Sequence, residues 1–188
     1  MRKYSCHDNS GDFFRRNLRT LVLGFALLIL ASAPLARPLQ IWLRGLLGRG
    51  GMILLLGGIF FAAALAALSF INLRAIPRRK LLLGTIIFLA GFAYSLTLTM
   101  PAERIHLLEY GILGLLAAAG LRKKGESIWR SSGRALLFVF LVGLLDEGFQ
   151  WLLPDRVGDW RDVGFNCLGG IWGLGLYLAM RGGPHRGR

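Results

Sequence analysis

The sequence predicts an all-α, polytopic membrane helix bundle of about six transmembrane helices. Three observations carry that prediction. Of 188 residues, 54% are hydrophobic and only 18% charged, against about 25% charged in soluble domains. The mean hydropathy is +0.53. The apolar residues also come in long blocks rather than in strand or amphipathic-helix periodicity. Each block is close to the roughly 20 residues that cross a bilayer core of about 30 Å.

The blocks cover residues 18–36, 51–73, 81–99, 105–121, 135–153 and 163–180. Arg19 and Pro34 interrupt the first, and it admits a second identity. Arg15 and Arg16, an apolar run over 21–30 and then Ala31-Ser32-Ala33 resemble a secretory signal peptide. Pro34 would follow the cut, where peptidases tolerate it poorly, so an uncleaved first helix is expected. Cleavage would leave five helices facing the same way. The next stretch, "RPLQIWLRGLLGRG", mixes Trp42, leucines and arginines, as an interfacial amphipathic turn does. In the last span Gly169 and Gly173 stand at GxxxG spacing, which keeps both on one face for close helix contact. No strand or Walker pattern makes these glycines a phosphate loop.

A net charge of +13 invites a nucleic-acid reading, but its distribution argues against one. With the N-terminus inside, the inner segments hold 17 of the 23 Lys and Arg residues and the outer segments six. That is the positive-inside bias of a membrane protein, and it places both termini in the cytoplasm. No nucleic-acid partner is expected; membrane lipids are, and basic inner loops attract anionic headgroups. The expected organisation is a cytoplasmic tail (1–17), one membrane domain (18–180) and a basic cytoplasmic tail (181–188). Cys6 and Cys167 fall on opposite sides of the membrane, so no disulfide joins them.

The polar residues inside this apolar chain are the functional signal. At about 100° per residue, Glu103, His106, Glu109 and Tyr110 share an arc about 120° wide on the fourth span. On the fifth, Asp146, Glu147, Gln150 and Gly143 share an arc about 100° wide. Asp162 and Asn166, four residues apart, face the same way as Gly169 and Gly173 on the sixth. Two crossings separate the start of the fourth span from the start of the sixth. Those two starts and the end of the fifth therefore lie on one side of the membrane, whichever way the chain inserts. Intramembrane ionisable residues are expensive and mark function by default.

Bland readings stand beside this one. Glu103 and Arg104 at a helix mouth are compatible with simple solvation, and Arg156 with pairing to a loop aspartate. Tyr110 suits an interfacial aromatic belt, Asp162 an N-cap, and His106 with Glu109 a bracing pair. Adjacent Asp146 and Glu147, with Gln150 one turn on, fit a purely structural account least well. Chemically, His106, Glu109, Asp146 and Glu147 are the catalytic candidates, as general acid and base or as cation ligands. The spacing matches no metal motif, so the metal and any cofactor stay unassigned. Arg156 suits a phosphate or carboxylate clamp. Glu103, Tyr110, Gln150, Asp162 and Asn166 complete the substrate-binding candidates.

The stretches "ERIHLLEYGILG" and "GLLDEGFQWLLPDRVGDWRDVGFNCLGGIWG" resemble the VanZ-like family of bacterial membrane proteins over residues 101–178. The family's characteristic residues carry over as His106, Glu109, Tyr110, Glu147, Gln150, Arg156, Asp162 and Asn166, with Glu103-Arg104 as its acidic-basic pair. The resemblance implies a bacterial inner membrane protein with a cell-envelope role, including lowered action of teicoplanin-type glycopeptides. It names no reaction. An intramembrane enzyme acting on a lipid-linked phosphate or sugar is the alternative, with a lipid-linked envelope precursor as partner. A proton- or ion-coupled transporter is the second alternative, though the broken helices in matching halves of many transporters are missing. Residues 1–100 carry no motif that specialises the protein further.

Overall fold

The computed structural model describes residues 9–70, 76–123, 125–153 and 159–181. The chain is helical throughout these residues: α1 (Asn9–Phe70), α2 (Arg78–Thr97), α3 (Pro101–Gly120), α4 (Ile128–Trp151) and α5 (Trp160–Met180). Among the described residues, four helical segments are long and apolar enough to cross a membrane: Asn17–Gly48, Arg78–Thr97, Ile128–Trp151 and Trp160–Met180. The fifth long helix, α3, matches α2 in length but carries Glu103, Arg104 and Glu109. The other helices shield it instead of lipid.

The first expected span and residues 51–70 of the second are both inside α1, and the turn expected between them is not a loop. Residues 37–47 continue the helix, through Pro34 and Pro38, up to Gly48. Each proline removes one backbone hydrogen bond, a loss that membrane helices tolerate when neighbours or local adjustments satisfy the freed carbonyl. The break comes at Gly48, whose φ of 64° and ψ of −176° are non-helical and open to glycine without a Cβ penalty. Beyond it the helix resumes, and Met52 is buried against the bundle.

Chain ends and turns follow local chemistry. Pro101 opens α3 at a position where a missing N–H is harmless. Ser127 caps α4 by accepting from the Arg130 N–H, and Asp159 caps α5 by accepting from the Arg161 N–H at 2.9 Å. Asp162 therefore is not the cap of α5; it stands in the first turn, free of that duty.

Helices α3 and α5 run parallel in the closest contact of the bundle. A Cβ at Gly173 would overlap the Gly111 carbonyl oxygen, one at Gly114 the Gly170 carbonyl oxygen, and one at Gly169 would come within 2.7 Å of the Leu107 oxygen. The GxxxG expectation for the last helix is thus met with backbone-to-backbone packing. Antiparallel to this pair, α4 places Val139 against Gly170 and Gly143 against Asn166. The first half of α1 also runs antiparallel to α3, with Val22 beside Gly120 at one end and Ala36 and Ala102 lining one cleft near the other. Val22, Ala26, Ile29, Tyr110, Leu113, Ala117, Val139 and Leu174 form the core of these four. On the periphery, α2 is held by Trp172, whose indole N–H donates to the Ile87 carbonyl at 2.9 Å.

Large apolar side chains ring the outside, among them Leu27, Leu82, Leu137, Leu145 and Ile171, each more than half exposed. In water such a surface would be a contiguous apolar liability. Around lipid it is the ordinary solvent-facing side, and the chain is accordingly a membrane-type helical bundle.

Candidate functional site

The start of α3, the end of α4 and the start of α5 meet at one end of the bundle. Their polar side chains turn inward: Glu103, His106, Tyr110, Asp146, Glu147, Gln150 and Asn166 are all buried, at 7% exposure or less. Burial of so many polar groups is tolerable only where they find partners.

His106 is the centre. Its Nδ1 lies 3.9 Å from Asp146 Oδ2 on α4, and its Nε2 lies 3.8 Å from Asp162 Oδ2 on α5. Both separations exceed a direct hydrogen bond, but one water or substrate oxygen bridges such a gap. Asp146 is itself oriented, because the Tyr110 hydroxyl donates to its Oδ2 at 3.1 Å. Tyr110 is fully buried, which sets aside its reading as a belt tyrosine.

Glu147 joins two helices. Its Oε1 accepts from the Gln150 amide at 3.3 Å, and its Oε2 accepts from the Asp159 backbone N–H at 3.2 Å. It therefore fixes the entry of α5 relative to the end of α4, and with it the position of Asp162. Glu103 Oε1 accepts from Arg161 Nη2 at 3.1 Å, tying the mouths of α3 and α5 together. Glu103 is thereby partnered and buried, not merely solvated.

Asn166 sits one turn deeper than Asp162 and is wholly buried. Neither its amide nitrogen nor its oxygen makes a hydrogen bond among the described residues. Gly143 makes room for it: a Cβ there would stand 3.2 Å from Asn166 Cβ and 3.5 Å from the Tyr110 ring. An unsatisfied buried amide costs about 1–3 kcal/mol, and such groups in native structures ask for a ligand, a water or a functional reason.

One side of this cluster opens to a cleft between α1, α3 and α4. His106, Glu109, Asp146 and Gln150 line it, and α1 adds Ser32 and Gln40. The latter two were not legible as site residues, since no motif marks them and their place depends on how α1 packs. Glu109 is the half-buried member facing this cleft. Arg104 goes elsewhere. Its Nε and Nη2 donate to the Leu98 carbonyl at 3.0 and 2.6 Å, closing the C-terminus of α2. Arg156 and Cys6 lie outside the described residues. Cys167 is a free, half-buried thiol.

Two kinds of chemistry fit the geometry. An imidazole flanked by carboxylates can take and return a proton near neutrality. Alternatively, His106, Asp146 and Glu147 each offer a ligand atom within 4.8 Å of the others, a grouping that modest side-chain adjustment would bring around a divalent cation. Nitrogen and carboxylate oxygen are suitable donors for zinc and for other first-row metals.

Residues 101–181 match the family model described as VanZ/LLP1. No curated protein and no solved structure matches the chain.

Proposed function

On the premise that residues 101–181 make this chain a VanZ-like membrane protein, we propose that it serves the cell envelope by acting on the polar headgroup of a lipid-linked envelope component. The site opens to the outer face of a bacterial cytoplasmic membrane, an orientation supported by the bias of basic residues toward the opposite segments. In this reading His106 is the general acid and base. Asp146, beside Nδ1, orients the ring, Nε2 on the Asp162 side exchanges the proton, Tyr110 orients Asp146, and Glu109 meets the substrate in the cleft. Gln150 and Asn166 supply amide contacts to the headgroup, and Arg156 clamps its phosphate. Altering or shielding an envelope precursor would lower the action of teicoplanin-type glycopeptides, the phenotype implied by the family resemblance.

The observation carrying this reading is the placement of His106 between Asp146 and Asp162 at 3.9 and 3.8 Å in a buried pocket. Two carboxylates flanking one imidazole stabilise its protonated form and orient it for proton transfer. Mass spectrometry of lipid-linked precursors from cells expressing the chain tests the proposal. The pool should differ from that of cells expressing His106→Gln at the same level, and identical pools would refute it.

A second reading rests on the 4.8 Å grouping of His106, Asp146 and Glu147. There a divalent cation would polarise the headgroup phosphate. Stoichiometric metal in the purified protein, lost in Asp146→Asn, would favour this route over acid-base chemistry by the side chains alone.

A further inference from the structure

A second cavity, of about 440 Å³, lies at the same end of the bundle but outside the cluster around His106. It is walled by α1 on both sides of the Gly48 break, by the last turn of α2 and by the turn leading into α3. Its volume falls in the range of about 300–1,000 Å³ typical of ligand pockets.

The lining is amphiphilic. Every ionisable side chain among the described lining residues is an arginine, Arg44 or Arg104, and Thr99 adds a hydroxyl. The apolar part includes Met52, Leu96 and Met100. Leu96 and Met100 are more than half exposed, whereas Met52 is buried, so the pocket grades from a closed floor into the outer apolar surface. Arg104 is held in the wall by its bonds to the Leu98 carbonyl. Its Nη1 makes no hydrogen bond among the described residues. Arg44 is exposed on α1.

We propose that this cavity seats the phosphate of an anionic lipid, held by Arg44, Arg104 and Thr99, with an acyl chain running out over Leu96 and Met100. Guanidinium groups match phosphate oxygens in geometry and charge. Free phosphate would use the arginines but not the apolar exit, and this favours the lipid. The inference goes beyond the proposed function, because the seat requires no chemistry at His106.

Native mass spectrometry of the full chain in detergent tests it, with phosphatidylglycerol and phosphatidylcholine of identical acyl chains as probes. Phosphatidylglycerol should bind at least about tenfold more tightly: both lipids carry the phosphate, but the choline cation of phosphatidylcholine would stand beside Arg44 and Arg104, and a like-charge contact near a protein surface is worth about that factor. Arg44→Gln should remove about that factor, and Thr99→Val a smaller one, while Arg130→Gln at the opposite end should leave binding unchanged. Arg104 is left intact because it closes α2. Size-exclusion profiles confirm that each variant is folded, and Thr99→Val keeps the test open should Arg44→Gln misfold. Equal binding of the two lipids, or undiminished binding in folded Arg44→Gln and Thr99→Val, would overturn the proposal. So would complete displacement of the lipid by millimolar inorganic phosphate, which would make the pocket a free-anion site.

Discussion

Tyr110 on α3 donates its hydroxyl to Asp146 on α4 at 3.1 Å, and neither side chain is accessible to any useful degree. The same Asp146 oxygen faces His106 Nδ1. The tyrosine thus positions the carboxylate that positions the imidazole. Tyr110→Phe keeps the ring, which fills the core, and deletes only the donor. Membrane hydrogen bonds average about 0.6 kcal/mol in mutant cycles, so the melting temperature should fall only slightly. Any envelope phenotype should fall far more. Parallel small losses in both would reduce Tyr110 to packing.

The α3–α5 contact sets the distance between His106 and Asp162, and it depends on glycines. Gly173→Ala would force a methyl into the Gly111 carbonyl. Overpacking of a well-filled interior costs about 1–3 kcal/mol, and here the obstacle is backbone that cannot rotate away. Folded yield in detergent should drop sharply. Gly148→Ala, where nothing lies within 4 Å of the added carbon, should match or exceed the parent. Similar behaviour of the two variants would show that the close approach is not needed.

Orientation is open to a direct chemical test. In a background lacking Cys6 and Cys167, single cysteines replace Leu152 and Lys123, both exposed and at opposite ends of α4. In intact cells with the outer barrier opened, an impermeant maleimide should label the first and spare the second. The reverse pattern would place the site on the cytoplasmic side.

Much of this arrangement was legible because it follows from parity and period. Once the apolar blocks are spans, the starts of the fourth and sixth must share a side. The helical period then gathers Glu103, His106 and Tyr110 on one face. GxxxG spacing likewise announced the packing of Gly169 and Gly173. What stayed hidden depends on tertiary context. Proline and arginine in 37–47 read as a loop, yet the segment is helical and bends only at Gly48. Asp162 read as the cap of α5, and local sequence does not say that Asp159 takes the role and releases Asp162 toward His106. Arg104 found backbone carbonyls of α2, and Ser32 and Gln40 reached the cleft through the packing of α1. No motif encodes such partners.

The central claim is that His106 does chemistry instead of bracing helices, and the most direct measurement is the phenotype of a folded His106→Gln variant. Glutamine retains hydrogen-bonding capacity but cannot exchange a proton near neutral pH. Teicoplanin susceptibility, or whichever envelope phenotype the wild-type chain confers, is scored beside the amount of folded protein in the membrane. Glu147→Gln is measured in parallel, because Glu147 braces the start of α5 and should lose folded protein as well as function. The account predicts that His106→Gln accumulates and melts within a few degrees of wild type, as expected for about 1 kcal/mol or less in a chain of this size, while the phenotype disappears. A folded His106→Gln protein with the full phenotype would contradict it and leave the histidine as a packing residue.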